Sequence, residues 1–325
     1  MLAPVILFVY NRPFHTSQSL QALALNDLAQ DTKLIIYADG INKEADSKNV
    51  QEVRKIIRQK MPFKSVEIIE SDNNKGLMNS IIDGVTETIN QYEKVIVLED
   101  DLLTSKGFLN YMNDALNFYE KEQKVMHISG YMFPVRNLFD SLFNNFVGKI
   151  IDYDFAKNIS ETVFYQSTSC WSWATWKDRW NFYNPNAEDL YKKLNESGKM
   201  YRFDLDGSNQ FKSQLEMNIS KKRLTWSIKW EASVHLEGGL CLHPTQTMVK
   251  NIGHEGSGSS FDSSGLLATQ NLRNYTKVAA IPLIENQKLR EQMKLYYALD
   301  GKMTTKRILF YYLKKYLLHN LKSKK

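Results

Sequence analysis

The sequence predicts an α/β protein built on a mostly parallel sheet with helices on both faces. Within residues 1–120, four short apolar runs rich in β-branched residues alternate with four stretches of helical periodicity. Each apolar run ends in polar residues that favour turns. Repeated strand–helix alternation of this kind is typical of a parallel sheet whose faces are covered by the crossover helices.

The elements of the first part follow in chain order. Strands are predicted at Val5–Tyr10, Leu34–Ala38, Val66–Ile69 and Val95–Leu98. Helices are predicted at Ser17–Leu25, Glu44–Gln59, Leu77–Ile89 and Gly107–Tyr119. The buried face of the second helix is marked by Val50, Val53, Ile56 and Ile57.

The second part is less regular and richer in aromatic residues. Its predicted elements are helices near Ala187–Leu194, Gln210–Ser220 and Ile228–Leu236, a strand at Leu240–Lys250 and a Gly- and Ser-rich loop at His254–Ser264. We expect a ligand-binding half at residues 1–125, a second half of the same domain at 126–285, and a helical, basic tail at 286–325.

The formal charge of +6 is concentrated at the C-terminus. Residues 302–325 contain eight Lys or Arg and no acid, and subtracting these eight from +6 leaves the rest at −2. A nucleic-acid-binding protein usually carries its basic surface on the folded body, so no nucleic-acid partner is expected. The two cysteines, Cys170 and Cys241, are too few for a disulfide framework, which favours a reducing, cytoplasmic setting. No signal peptide or bilayer-spanning run is expected.

Polar residues follow each of the four predicted strands, and a parallel sheet brings those ends to one edge. The four groups are Tyr10-Asn11-Arg12, Asp39-Gly40, Asn74-Lys75-Gly76 and Glu99-Asp100-Asp101. Arg12 and Lys75 can oppose a phosphate, and Asp39 can accept a hydrogen bond from a base or sugar. The chain has neither GxGxxG nor GxxxxGK[ST], which disfavours a standard dinucleotide fold or a P-loop.

The acids Glu99, Asp100 and Asp101 directly follow the apolar fourth strand. Three unpaired carboxylates are too costly to bury. A divalent cation bound to a phosphate would resolve this conflict, because hard cations bridge carboxylate and phosphate oxygens. The alternative is a solvated acidic loop, and the polar residues at the other strand ends favour the metal site.

Four segments together resemble a known family. They are VILFVYNRP, YADG, NNKGLMNSI and VIVLEDD, in this order. They are similar to the nucleotide-sugar half of GT-A glycosyltransferases, whose fourth strand ends in an acidic motif of the DxD type. The EDD form followed by Leu102 resembles the inverting N-acetylglucosaminyltransferase I group and bacterial family-2-like sugar transferases of surface-polysaccharide synthesis. The likeness extends more loosely through WSWATWKDRW and KNIGHEGSG.

The resemblance implies a GT-A (Rossmann-like) fold and a metal-dependent, inverting transferase. The donor would be a nucleotide-sugar such as a UDP-sugar, with Mn²⁺ or Mg²⁺ as cofactor. Asp101 would be the metal ligand, Asp100 would lie near the ribose, and Glu99 near the donor sugar. Asp39 would touch the base. The remaining residues expected near the donor are Tyr10, Asn11, Arg12, Asn74, Lys75 and Gly76.

The acceptor hydroxyl needs one general base. Glu231 is one candidate, because it lies in WSIKWE, a position similar to one where related inverting enzymes keep an acid on an aromatic-flanked helix. Asp204 and Asp206 are the others, and each of the three can equally be a surface acid. His254 is either a late metal or diphosphate contact or a solvated loop residue. Trp173 is the candidate for stacking on the acceptor, with core packing as the alternative.

Residues 303–325 have the pattern of an amphipathic basic helix. Such a helix can lie on an anionic bilayer or dock on its own domain. Membrane contact would suit a lipid-linked saccharide acceptor, so we expect a cytoplasmic enzyme held on the inner face of the plasma membrane. The alternatives to a transferase are a sugar nucleotidyltransferase of the same fold and a catalytically inactive sugar-binding module.

Overall fold

The computed structural model describes residues 2–135, 160–253 and 271–298. The strands of these residues are β1 (Val5–Val9), β2 (Lys33–Ala38), β3 (Ser65–Glu70), β4 (Lys94–Glu99), β5 (Leu102–Thr104), β6 (Val125–Ser129), β7 (Thr162–Tyr165), β8 (Trp173–Trp176), β9 (Leu240–Pro244) and β10 (Val249–Asn251). The α-helices are α1 (Pro13–Ala24), α2 (Ser47–Ile57), α3 (Gly76–Tyr92), α4 (Phe108–Phe118), α5 (Lys177–Trp180), α6 (Ala187–Glu196), α7 (Met200–Phe203), α8 (Phe211–Ile219), α9 (Ser227–Leu236) and α10 (Gln287–Ala298).

Eight strands form one sheet in the order β3-β2-β1-β4-β8-β6-β9-β7. The four strands β3, β2, β1 and β4 are mutually parallel. β8 lies antiparallel between β4 and β6, β9 is parallel to β6, and β7 closes the edge antiparallel to β9. The predicted α/β class with a mostly parallel sheet is therefore confirmed. The short strands β5 and β10 pair separately in an antiparallel ribbon.

Both faces of the sheet are covered, which explains why its central strands are mostly apolar. Val5, Leu7 and Val9 of β1 pack in one core with side chains of α1, α2 and α4. Ile6 and Phe8 point to the opposite face and pack in a second core with side chains of α3 and α9. All five residues of β1 are buried, as expected for a central parallel strand.

Several boundaries differ from the sequence prediction. α1 begins at Pro13 rather than Ser17, because proline at the first helical position has the required φ and loses no hydrogen bond there. The predicted strand at 240–250 is wrong: it divides into β9 and β10, which belong to different sheets. Pro244 ends β9, since it has no N–H to extend the ladder.

Two sequence predictions lie outside the described residues. These are the Gly- and Ser-rich loop that begins at His254 and the basic helix at residues 303–325. Within the three described ranges, no helix combines the length and apolarity needed to cross a membrane.

Trp173 lies in the second core. Its side chain is 1% exposed, and its ring stacks on Trp226 with centroids 5.1 Å apart. On another side it stacks on His127 at 5.6 Å. The ring thus joins β8 to β6 and to the beginning of α9.

Replacing Trp173 with alanine is expected to lower the free energy of unfolding by about 3–5 kcal/mol, because it empties a packed core position. Urea denaturation measures the loss. The matched control is Phe182→Ala, whose ring is 48% exposed. Equal losses in the two variants would contradict the core position of Trp173.

Candidate functional site

The carboxyl ends of the parallel strands open into a cavity of about 610 Å³. Its wall combines the ends of β1, β2 and β4 with the first turn of α3, residues 170–171, residues 223–227 and the turn after β10. The predicted donor-site residues on this wall are Tyr10, Asn11, Arg12, Asp39, Asn74, Gly76, Glu99, Asp100 and Asp101. Parallel topology brings these groups to one edge although they are far apart in sequence.

An arginine bridges two of the acids that follow β4. Nη2 of Arg12 donates to Oδ1 of Asp100 and, at 3.0 Å, to Oδ2 of Asp101. The contact follows from strand pairing: β1 is parallel to β4 with Phe8 opposite Glu99, so the residues after both strands meet. Arg12 is the residue that precedes α1, which fixes its backbone at the cavity edge.

The negative charge of this acidic cluster, Glu99 to Asp101, is only partly balanced. Burial, followed by repulsion from Asp101 and Asp100, raises the pKa of Glu99 to about 8. Burial also raises the pKa of Asp100 to about 6, although Arg12 opposes the shift. One guanidinium therefore faces three carboxyl groups, of which Glu99 keeps its proton near neutral pH, and a bound cation would favour ionisation of all three.

The side chains of this wall suit a metal ion that takes only part of its coordination from the protein and the rest from a bound phosphate and water. Among the described residues, no three His, Cys, Asp or Glu side chains form a ready metal cage. Asp101 offers a hard oxygen at the cavity wall, which suits Mn²⁺ or Mg²⁺ when phosphate oxygens and water supply the other ligands. Its Oδ2 is engaged by Arg12, so a cation there would have to share or replace that contact. His254 lies outside the described residues.

The turn after β10 packs directly on Asp101. The N–H of Ile252 donates to the backbone carbonyl of Asp101 at 2.9 Å. A Cβ atom at Gly253 would collide with the Asp101 carboxylate, so any other residue at this position would displace that side chain. The late segment KNIG thus closes the acidic side of the cavity.

Asp39 organises the loop that precedes α3. Its Oδ1 accepts from the N–H groups of Gly40 and Lys75, both at 2.8 Å. Its Oδ2 accepts from the N–H of Gly76 at 2.9 Å and from Nδ2 of Asn74 at 3.0 Å. Asp39 is 8% exposed, and four donors already occupy its carboxylate. Its evident role in this structure is to shape the cavity wall.

Three other residues that were predicted to lie near the bound ligand have polar protein partners at the edge of the site. The Tyr10 hydroxyl and Nδ2 of Asn11 donate to the two carboxylate oxygens of Asp46, each at 2.9 Å. Nζ of Lys75 pairs with Asp83 at 3.2 Å on the surface of α3. Lys75 is not among the residues that line the cavity. Its contribution to the site is its backbone N–H, which donates to Asp39.

The three candidate bases lie away from the cavity wall. Glu231 is buried in α9, where Oε2 accepts from the Thr168 N–H at 2.5 Å and the Thr168 hydroxyl at 2.6 Å. Burial raises the pKa of Glu231 to about 7. Oδ1 of Asp204 accepts from the N–H of Lys212 at the start of α8, at 2.9 Å.

Asp206, the third candidate, is held by two basic residues of α10. Its Oδ1 is 2.7 Å from Nη2 of Arg290, and its Oδ2 is 2.9 Å from Nζ of Lys294. Burial opposes its ionisation, but these two partners outweigh the burial and lower its pKa. Asp206 thereby ties the chain after α7 to α10.

Sequence reasoning missed part of the wall, namely Cys170, Trp171 and residues 223–227. Burial and the nearby acids Glu99 and Asp101 raise the pKa of the Cys170 thiol to about 12, so it is a neutral wall group rather than a nucleophile. The WSIKW pattern was a signal for the 223–227 segment. It marks the point where α9 begins, with Trp226 and Ser227 on the cavity wall.

No protein-family profile and no curated protein matches this chain. Among solved structures, S. aureus TarS is 18% identical over 40% of this chain and 21% of its own, with a TM-score of 0.28. TarS 1–349 in complex with UDP is 18% identical over 40% of this chain and 35% of its own, with a TM-score of 0.28. The matched region is thus well under half of either TarS chain.

A third solved structure covers more of the chain. The mannosyltransferase PcManGT from Pyrobaculum calidifontis, in complex with GDP-Man and Mn2+, is 11% identical over 73% of this chain and 68% of its own. Its TM-score is 0.37. At these scores, none of the three likenesses carries weight for the fold or function of this chain.

The raised pKa of Glu231 predicts how stability depends on pH. The native state keeps this proton between the ordinary value of 4.5 and about 7, so wild-type unfolding free energy should decline as pH rises through that window. Glu231→Gln cannot lose the proton. Its stability relative to wild type should therefore rise by up to a few kcal/mol across the window and level off above it.

Denaturant titrations at several pH values measure this difference. The control is Glu237→Gln, at the exposed position directly after the end of α9. A difference between Glu231→Gln and wild type that does not change with pH would show that Glu231 is ionised throughout.

Proposed function

We propose that the chain is a metal-dependent glycosyltransferase that moves a sugar from a nucleotide-sugar, such as a UDP-sugar, to a glycan or lipid-linked saccharide in surface-polysaccharide synthesis. The observation that carries the proposal is the under-neutralised acidic cluster beside Arg12, at the carboxyl edge of a parallel sheet. Ligands of open α/β sheets bind at this edge. The order of the four segments that resemble GT-A enzymes adds support.

The wall residues match what such a donor requires. Asp101 would supply an oxygen ligand to a cation, and Asp100 adds negative charge that favours cation binding. Glu99, whose pKa is raised to about 8, would lose its proton more readily once a cation is bound. When bound, Mn²⁺ or Mg²⁺ would neutralise the charge that develops on the leaving diphosphate. Asp39 holds the loop before α3 in one conformation, so that its backbone can meet the base and ribose without reorganisation.

Transfer with inversion requires one base within reach of the acceptor hydroxyl. Of the three candidates, Glu231 has the pKa best suited to accept a proton near neutrality. Its carboxylate is held by Thr168, so its use as a base requires that the Thr168 segment release it. The inverting course, this base and the acceptor remain parts of the proposal. So does membrane contact through residues 303–325.

Asp101→Ala should reduce metal-stimulated turnover of the nucleotide-sugar by about 100-fold or more, the scale for losing a group that stabilises developing charge. Release of UDP from a panel of UDP-sugars, with and without Mn²⁺, measures this. Asp31→Ala is the control, because Asp31 is exposed at the opposite end of β2. Metal-stimulated turnover that survives in Asp101→Ala would refute the proposed role of the acidic cluster.

A further inference from the structure

Lys229 is a buried cation without an anionic partner among the described residues. The residue is 7% exposed. Within the described part of the chain, its Nζ has one hydrogen-bond partner, Sδ of Met78 at 3.5 Å. A thioether is a weak acceptor and carries no charge. Burial accordingly lowers the pKa of Lys229.

The two buried arginines among the described residues are paired. The guanidinium of Arg179 is 2.7 Å from Asp178, and that of Arg290 is 2.7 Å from Asp206. The ammonium of Lys294 lies within 3 Å of two carboxylates. A buried, unpaired ammonium costs folding free energy. Lys229 therefore departs from the pattern of the fold, which is expected where a charge is kept for a ligand.

The position of Lys229 relates this charge to the cavity. Lys229 is in the first turn of α9, and the preceding residues Trp226 and Ser227 line the cavity. Met78, which Nζ contacts, is in the first turn of α3 and also lines the cavity. The N-terminus of α3 is already satisfied by the Asp39 carboxylate, which accepts from the N–H groups of Lys75 and Gly76. The first turn of α9 lacks a side-chain cap, so its N–H groups contribute further positive potential to this wall.

The cavity thus has two walls of opposite character. Glu99, Asp100 and Asp101 give the negative wall, at the end of β4. The first turn of α9, with Lys229 behind Met78, gives a wall that is positive and holds no carboxylate paired with Lys229 among the described residues. A ligand that carries a metal-bound diphosphate can satisfy both walls at once.

We propose that Lys229 and the first turn of α9 form an oxyanion subsite that binds a substrate oxygen anion. The proposal deepens the transferase function above and rests on it for the identity of the substrate. The same chemistry could come from the diphosphate of the donor or from the carboxylate of an acidic donor sugar. In either case, Lys229 positions the substrate and lowers the free energy of its bound anion.

Calorimetric titration without metal tests the subsite directly, because binding then depends on the protein's own cations. The probes are inorganic pyrophosphate, UDP, UDP-glucuronate and uridine. Lys229→Met should weaken the binding of pyrophosphate, UDP and UDP-glucuronate roughly ten- to hundredfold and leave the binding of uridine unchanged. Lys229→Arg should restore most of the affinity. Lys222→Met removes the same charge from an exposed position nearby and should bind like wild type.

The pattern of losses identifies the anion. A loss with pyrophosphate, UDP and UDP-glucuronate assigns the diphosphate, whereas a loss with UDP-glucuronate alone assigns the sugar carboxylate. Equal affinity of Lys229→Met and wild type for every probe would overturn the subsite, and so would a wild type that binds none of them. A Lys229-dependent affinity without any sugar transfer would leave the subsite standing and refute only the transferase.

The thermal unfolding midpoint shows separately whether Lys229→Met is folded. Lys229→Met replaces a buried charge with an apolar side chain of similar length next to Met78, so its thermal midpoint should equal or exceed that of wild type. Pyrophosphate should raise the midpoint of wild type and of Lys222→Met but not that of Lys229→Met. Shifts of equal size in all three proteins with both pyrophosphate and UDP-glucuronate would contradict the subsite.

Discussion

One guanidinium facing three carboxylates is the constraint on which the site depends. The parallel pairing of β1 with β4 brings Arg12 to the acids that follow β4, and there it bridges Asp100 and Asp101. The sheet is apolar on both faces, so its strands cannot move apart to let water separate these charges. The raised pKa values of Glu99 and Asp100 follow from this arrangement. Under the proposed function, a cation that binds together with a phosphate would relieve it.

The remainder of the cavity is arranged around that edge by elements from the whole chain. Asp39 uses both carboxylate oxygens to hold the turn before α3, which fixes the wall beside the acids. Gly253 allows the turn after β10 to approach the Asp101 carboxylate. On the other side, α9 brings Trp226 and Ser227 to the wall and Lys229 behind it. The site therefore needs both halves of the sequence.

The part of the fold that follows local rules was predictable from sequence. Strands β1, β2 and β4 contain continuous apolar runs because helices cover both faces, and the polar groups after them meet because the strands are parallel. β8 was not predicted, since WATW has neither strict alternation nor an aliphatic run and its Trp173 is fixed by packing against Trp226. That contact joins residues distant in sequence, and no local pattern encodes it.

The same distinction applies to the site. The acids at 99–101 could be placed from sequence because their position depends only on where β4 ends. The surroundings of the Glu231 and Asp206 carboxylates could not be predicted from sequence. Their partners Thr168, Arg290 and Lys294 come from segments distant in sequence. Lys75 ends on the outer surface of α3 with Asp83, a pairing of side chains two turns apart that competes with any ligand. Lys229 was overlooked because a single lysine carries no signal until its burial is known.

A crystal soaked with manganese chloride and UDP tests the central claim most directly, by anomalous diffraction at the manganese edge. We expect an anomalous peak that joins an Asp101 carboxylate oxygen to the diphosphate, with Arg12 displaced from that oxygen. Electron density for UDP without any manganese peak at Asp101, and with Arg12 still bridging Asp100 and Asp101, would contradict the claim.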